Sequence, residues 1–136
     1  MSFFVLDCAD DVVKLTLAND ALAIRGSSAG YYKSSSVVNG KPSFKTGGNA
    51  VWYNAENNVW IIGLISDLGS NKGALFMENN FGGLTDGKNK WNYLNNGWKT
   101  AGPNDVNIQC LLEGKLYTYN ILELTYSFYL SNDLKP

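Results

Sequence analysis

The sequence contains no histidine, and this absence removes the commonest machinery of enzymes. Histidine is the usual general base near neutral pH, the commonest metal ligand and the usual partner of a nucleophilic serine or cysteine. A Ser-His-Asp or Cys-His enzyme is therefore excluded. The two cysteines, Cys8 and Cys110, lack the paired spacing of a zinc site, and a single bridge between them stays open. Since no Walker loop and no Gly-x-Gly-x-x-Gly motif occurs, we expect no cofactor.

Charged residues and long apolar runs are also scarce. Charged residues make up 17% of the chain and the net charge is −1, which gives no field to attract nucleic acid or an anionic membrane. The longest apolar run, Val59 to Ile65, is too short to cross a bilayer, so we expect no membrane insertion. No signal peptide is visible, which predicts a cytoplasmic protein by default. A mature secreted chain whose signal has been removed is the alternative.

Pairs of carboxylates are the one catalytic chemistry that stays open. The acids in predicted turns and loops are Glu56, Asp67, Glu78, Asp86 and Asp105. Glycoside hydrolysis needs two carboxylates held about 5 to 9.5 Å apart, whereas acids in turns are usually solvated. The same loops lack the Asp-x-Asn/Asp-x-Asn/Asp-Gly ladder of an EF-hand calcium site. The sequence therefore predicts no catalytic residue, no metal site and no enzyme.

The chain is rich in β-branched and aromatic residues separated by turns. Asparagine occurs 17 times and glycine 14 times, and both supply turns. Residues 13–17 alternate apolar and polar with period two, which predicts a half-buried strand. Leu22 and Ile24 continue this alternation, so we prefer a hairpin here over a helix across residues 11–24. The whole chain, residues 1–136, is predicted to be one all-β domain, an antiparallel β-sandwich or barrel of about eight to ten short strands.

Further strands are predicted towards the two ends of the chain. Residues 3–8 and 106–112 each read as one strand. Residues 115–130 form a longer alternating segment whose phase flips between Ile121 and Leu122. Because a flip moves side chains to the other face, we expect a β-bulge or sharp bend there.

Two tryptophan hairpins organise the centre of the chain. Asn39-Gly40 is a strong type I′ turn signal just upstream of them. The apolar run Val59–Ile65 predicts a strand buried on both faces, with Trp60 in the core. Trp52 is expected near Trp60 across the pair, so that the two tryptophans face each other. Residues 91–98 repeat the order of aromatic, Asn-Asn turn and tryptophan, which predicts a second hairpin of the same kind.

Four short motifs also occur in an order that resembles a small β-module recurring in multidomain animal and protist proteins. That module has Gly-x-Tyr, Asn-Gly-Arg/Lys-Pro-x-Tyr/Phe, an aromatic pair and Trp-x-Ile, and often closes near a Cys. The resemblance covers about residues 24–110 and implies an all-β fold without catalytic activity. Members often have a Cys just before Gly-x-Tyr, where this chain has Ser27-Ser28. The positions that carry it are Gly30-Tyr31, Asn39-Gly40-Lys41-Pro42-Ser43-Phe44, Trp52-Tyr53 and Trp60-Ile61-Ile62, with Trp91, Trp98 and Cys110 where the closing part falls.

Aromatic residues beside amides are the strongest indication of function. Sugar faces are apolar and sugar hydroxyls need hydrogen-bonding partners, so exposed aromatics beside Asn and Asp predict a lectin-like, carbohydrate-binding module. The alternative is a protein-interaction or self-assembly module, which would bind a protein ligand or form a homo-oligomer through a sheet edge or an aromatic patch. An enzyme with two carboxylates is the third hypothesis. The predicted ligand-binding residues are Trp91, Trp98, Tyr53, Asn92, Asn95 and Asp86.

Overall fold

A computed structural model describes residues 12–111, which form a single antiparallel sheet of nine strands curled into a half-barrel. This arrangement confirms the predicted all-β fold. Neighbouring strands in the sheet follow the order β8-β7-β6-β5-β4-β3-β2-β1-β9, so the last strand pairs with the first. The strands are β1 (Val12–Leu17), β2 (Gly30–Val38), β3 (Lys41–Lys45), β4 (Asn49–Asn54), β5 (Val59–Leu64), β6 (Leu75–Met77), β7 (Trp91–Leu94), β8 (Trp98–Thr100) and β9 (Val106–Leu111).

Asparagine and glycine make the tight turns between these strands. Asn39 and Gly40 have φ of 55° and 88° and join β2 to β3, with Val38 opposite Lys41, which confirms the predicted two-residue hairpin. Asn58 has φ of 57° at the end of the turn between β4 and β5. Asn96 and Gly97, with φ of 54° and 110°, turn the chain from β7 into β8. Asparagine tolerates this left-handed region better than other residues with a side chain.

The inner face of the half-barrel carries the main core. Residues from eight of the nine strands join one buried cluster, which is only feasible on the concave side of a curled sheet. The predicted alternation in β1 is confirmed, because Val13, Leu15 and Leu17 are buried while Thr16 is exposed. The largest fully buried members of this cluster are Trp60, Tyr32, Phe44, Leu15, Ile62, Leu75, Met77 and Leu84.

A smaller apolar cluster lies on the outer face. Ala50, Trp52 and Ile61 form it, and it is covered by side chains from the end of β2, from β6 and from residues 65–68. Five of the six residues of β5 are buried, so the prediction of a strand buried on both faces is confirmed. The 3₁₀ turn Ile65–Asp67 begins the cover of this outer cluster.

Trp52 and Trp60 do not face each other, and that prediction is wrong. The register pairs Trp52 with Ile61 and Tyr53 with Trp60. An offset of one residue places side chains on opposite faces of a sheet, so Trp52 points outward and Trp60 inward. The aromatic pair across the hairpin is Tyr53 with Trp60, whose ring centroids are 5.5 Å apart. Trp60 is fully buried, as predicted.

The strand expected after β1 is instead the helix α1 (Asn19–Arg25). Leu22 and Ile24, whose alternation suggested a strand, are both exposed, and Ala21 is the residue that enters the core. Alanine favours a helix, and Ala21 is the one buried residue of this short helix. The helix contacts β1 and β7, which lie six positions apart in the sheet, so it bridges one side of the half-barrel.

Residues 78–90 form the predicted long connection and close another part of the half-barrel. Leu84 from this loop is buried in the same core cluster as Ile108 of β9. Asn80 and Asn89 shape the loop through their side chains, since Asn80 Oδ1 accepts a hydrogen bond from the Gly83 amide at 2.8 Å and Asn89 Nδ2 donates to the Gly83 carbonyl at 2.7 Å.

The predicted strand over residues 106–112 is present as β9. Cys110 in β9 is disulfide-bonded, and Cys8, the other cysteine of the chain, lies outside the described residues. The strands predicted over residues 3–8 and 115–130 also lie outside them. Within residues 12–111, none of the helices has the length and apolarity needed to cross a membrane.

Candidate functional site

The two tryptophans of the second hairpin lie on opposite faces of the sheet. Trp91 is 5% exposed and packs in the inner core, so little of its ring is open to a ligand. Trp98 is 49% exposed and lies opposite Leu94 in the register. Asn92 is half-buried on the same hairpin and Asn95 is half-buried in its turn. Trp98 is therefore the predicted tryptophan that a ligand can reach.

Tyr53 and Asp86 serve local structure where the structure places them. Tyr53 packs on Trp60, and its hydroxyl donates a hydrogen bond to Asn58 Oδ1 at 2.7 Å. Asp86 Oδ1 accepts a hydrogen bond from the Lys88 amide at 2.7 Å inside the 78–90 loop. Asp86 and Trp91 do line one small pocket of about 90 Å³. The six predicted residues are thus spread over several places and do not form one site.

A larger groove is lined in part by Trp98, and we call it the Trp98 groove. Its volume is about 540 Å³, within the range of small-molecule sites. Helix α1, the glycines of β5 and the loop after it, and the β7–β8 hairpin all contribute to it. The lining residues are Arg25, Ser27, Ser28, Asn49, Gly63, Leu64, Asp67, Asn71, Lys72, Gly73, Ala74, Leu94 and Trp98.

The ring of Trp98 is held in place by Phe76. The two ring centroids are 5.3 Å apart, within the range of interacting aromatic pairs, and the rings are tilted by 41°. Phe76 lies opposite both Ile61 and Asn92 in the sheet and packs on the outer cluster. This packing fixes one face of the indole and leaves about half of the side chain open to solvent. Leu64, which is 57% exposed, adds a second apolar surface to the groove.

The floor of the groove is backbone, because two glycines approach each other too closely for side chains. A Cβ on Gly73 would lie 2.3 Å from Ile61 Cγ2, and a Cβ on Gly63 would lie 2.9 Å from Gly73 Cα. Hydrogen bonds join the backbone next to Gly73 to the strands on both sides. The Ala74 amide donates to the Ile62 carbonyl at 2.8 Å, and the Leu94 amide donates to the Ala74 carbonyl at 2.9 Å. A ligand therefore meets small residues at the base of the groove.

The polar rim comes from the loop between β5 and β6, and Ser70 holds this loop. The Ser70 hydroxyl donates to the Asp67 carbonyl at 2.7 Å and accepts from the Lys72 amide at 3.1 Å. The Ser70 carbonyl in turn accepts a hydrogen bond from Trp52 Nε1 at 2.8 Å. These bonds tie the loop to the outer cluster, so that Asp67, Asn71 and Lys72 line the groove from a fixed backbone.

Several polar side chains of the groove are available to a ligand. In the described part of the chain, no hydrogen bond or ion pair engages the Asp67 carboxylate, the Asn71 amide or the Lys72 ammonium group. Asn49 is anchored through Nδ2, which donates to the Ser27 carbonyl at 3.0 Å. A carboxylate, an amide and an ammonium group together provide both acceptors and donors for hydroxyl groups.

Acids and metal ligands do not cluster in the described part of the molecule. Asp67 is the one acidic residue among those that line the groove. Across residues 12–111, no group of three or more Cys, Asp and Glu side chains is arranged to hold a metal ion. Asp105, another candidate oxygen ligand, accepts hydrogen bonds from Asn19 Nδ2 at 2.7 Å and from the Gly102 amide at 3.1 Å. Its carboxylate therefore closes a turn.

Sequence reasoning found Trp98 but missed most of its surroundings. The strand predicted through Leu22 and Ile24 does not bring Arg25, the next residue, to the second hairpin; the helix that forms there does. Gly63 interrupts the apolar run of β5, and an isolated glycine in a strand signals a close backbone approach. Together with the loop Asp67–Gly73, that glycine was the available signal for the groove.

No protein-family model matches this chain, and neither curated proteins nor solved structures include one that is significantly similar to it.

Proposed function

We propose that this chain is a non-enzymatic binding module that recognises glycans in the Trp98 groove. The observation that carries the proposal is the half-exposed indole of Trp98, held by Phe76 at 5.3 Å, beside a groove whose rim offers unpaired amide and charged side chains. An apolar sugar face stacks on such an indole, while the sugar hydroxyls exchange hydrogen bonds with Asp67 and Asn71.

The distribution of acids supports binding rather than hydrolysis. A glycosidase needs a second carboxylate about 5 to 9.5 Å from the first, and Asp67 is the one acid among the described residues of the groove. The resemblance of residues 24–110 to a β-module without catalytic activity agrees with this proposal.

The test is a glycan array probed with the purified protein and with Trp98→Ala. We expect a specific set of hits for the wild type and a loss of affinity of at least about tenfold in the variant, equivalent to about 1.4 kcal/mol. Phe81→Ala is the matched control, since Phe81 is 56% exposed and does not line the groove. Equal binding by wild type and Trp98→Ala, or a blank array, would contradict the proposal.

Self-assembly through a sheet edge is the second candidate, and the position of β8 favours it. This strand ends the strand order in the described sheet, and all three of its residues are exposed. An exposed edge strand can pair with another chain. Sedimentation velocity over a range of concentrations tests this function. The Ala101 amide donates to the Trp91 carbonyl, so the alternation of an antiparallel ladder turns the Thr100 amide away from β7, towards the open edge. A dimer that Thr100→Pro abolishes supports self-assembly, because proline removes this outward donor, and a monomer at all concentrations contradicts it.

A further inference from the structure

Arg25 lines the Trp98 groove, and a hydrogen bond to the backbone holds its side chain in place. It is the last residue of α1, and its Nε donates a hydrogen bond to the Leu94 carbonyl at 2.9 Å. Leu94 is the strand partner of Trp98, and directly opposed residues of antiparallel strands have Cβ atoms about 4.5–5.5 Å apart. Arg25 and Trp98 therefore both adjoin Leu94, and both line the groove.

The outer edge of this guanidinium group is unused. The bond from Nε to Leu94 is the single hydrogen bond of the Arg25 side chain within the described residues, and no carboxylate there lies within ion-pair distance of it. Arginine remains charged at any ordinary pH, and a half-buried charge without a partner is unfavourable. With Nε occupied, the two terminal nitrogens are left, and their spacing matches the two oxygens of a carboxylate.

The other charges of the groove favour the same kind of ligand. Lys72 is a second cation, and Asp67 is the one acid among the lining residues, so the groove carries a net charge of about +1 whereas the whole chain carries −1. Asp67 and Asn71 still provide partners for hydroxyl groups. A ligand that satisfies both sets of groups has hydroxyls at one end and an anionic group at the other.

We infer that the groove selects glycans that carry a carboxylate, as uronic and sialic acids do, and that Arg25 binds this carboxylate while the sugar ring stacks on Trp98. The inference rests on the glycan-binding function proposed above. In this arrangement the fork of Arg25 sets the orientation of the sugar, Lys72 strengthens the attraction, and the hydroxyls contact Asp67 and Asn71.

The experiment compares acidic glycans with matched neutral ones. An array that contains carboxylated, sulfated and neutral oligosaccharides is probed with the wild type, Arg25→Gln, Arg25→Lys and Lys99→Gln. The strongest carboxylated hit is then measured by calorimetry beside its carboxyl-reduced form, in which CH₂OH replaces the carboxylate. Lys99→Gln is the control. Lys99 follows Trp98 directly in the sequence but does not line the groove, so this variant removes a nearby positive charge without changing the groove itself. Thermal unfolding verifies that each variant is folded.

We expect carboxylated glycans to dominate the array and to bind at least about tenfold more tightly than their reduced forms, since a hydrogen-bonded charge pair is typically worth this much. Arg25→Gln should abolish this preference, and Arg25→Lys should retain part of it, because lysine keeps the charge without the fork. Lys99→Gln should leave it unchanged. If Arg25→Gln does not fold, the comparison of native and reduced ligands on the wild type decides.

The outcomes separate the two proposals. Binding of neutral and carboxylated glycans with equal affinity, or a preference that survives in Arg25→Gln, overturns the carboxylate inference and leaves glycan binding in place. Equal binding of sulfated and carboxylated glycans overturns the selectivity for carboxylates. A blank array overturns both proposals.

Discussion

Two buried tryptophans on neighbouring strands differ in whether the indole N–H has a hydrogen-bond partner, and this difference predicts how much stability each loses when it is replaced by phenylalanine. Trp52 and Trp60 are both fully buried, on opposite faces of the β4–β5 hairpin. Trp52 Nε1 donates a hydrogen bond to the Ser70 carbonyl at 2.8 Å. Trp60 Nε1 is buried and has no hydrogen-bond partner in the described structure. We therefore expect Trp60→Phe to be much the less destabilising substitution.

The magnitude follows from the two N–H groups. Both substitutions remove the same atoms from a packed environment, so the cavity terms are similar. Trp52→Phe also loses a hydrogen bond with a net value of about 0.5–1.5 kcal/mol, whereas Trp60→Phe removes an unsatisfied donor whose burial costs about 1–3 kcal/mol. The free energies of unfolding of the two variants should therefore differ by at least about 1.5 kcal/mol, the sum of the two lower bounds.

Urea unfolding followed by circular dichroism measures this difference. The variants are compared at unchanged m-value, so that a shift of the midpoint reports stability. Trp60→Ala and Trp52→Ala serve as references, and each should cost about 3–5 kcal/mol because both rings fill core space. If Trp60→Phe is as destabilising as Trp52→Phe or more so, the burial of an unpaired indole N–H is refuted. An unchanged melting temperature in Trp60→Ala would refute the core position itself.

Two further predictions concern the core and the groove floor. Burial raises the pKa of Tyr32 from 10.0 to about 12, so the unfolded chain loses the hydroxyl proton at a lower pH than the folded chain. The stability that Tyr32 contributes is complete below pH 10 and is lost as the pH rises to about 12, by up to about 1.4 kcal/mol per pH unit. Tyr32→Phe should flatten this slope when the free energy of unfolding is measured in urea at several pH values. Equal slopes would argue against it. Gly73→Ala should cost about 1–3 kcal/mol through overpacking against Ile61, while Gly47→Ala, whose Cβ meets nothing within 4 Å, should be close to neutral in the same unfolding assay. A Gly73→Ala variant as stable as Gly47→Ala would mean that the floor can relax.

Local chemistry in the sequence predicted the strands and turns well. The alternation in residues 13–17, the Asn39-Gly40 turn and the apolar run of β5 each correspond to an element of the structure. These signals are local, because a turn needs particular backbone angles and a buried strand needs a particular period. The fold class follows from their number and spacing.

Two features could not be predicted in the same way: which residues lie opposite each other in a hairpin, and the presence of the helix α1. Whether Trp52 meets Trp60 depends on the length of the turn to within one residue, and aromatic spacing alone does not give it. The segment containing Leu22 and Ile24 alternates as a strand does, but Ala21 supplies the contact with the core that decides for a helix. Tertiary packing overrides a short local pattern in such a case.

In the candidate site, too, local features were predictable from the sequence and long-range contacts were not. Trp98 was identifiable because aromatic and amide residues adjoin in the sequence. Arg25 and Lys72 join it from segments far away in the chain, through the hydrogen bond to Leu94 and the loop held by Ser70. Such long-range contacts are set by the curl of the sheet, which no single segment encodes.

The pairing of β1 with β9 has a consequence for synthesis of the chain on the ribosome. Every other pair in the sheet joins strands that are consecutive in sequence, so each hairpin can form soon after its second strand emerges. β1 is among the first strands to emerge, and one of its two edges waits until residues 106–111 have been made. During that interval the nascent chain exposes an unpaired edge with Val13, Leu15 and Leu17 beside it, a template for pairing with other chains. The step that ends this exposure is the arrival of β9.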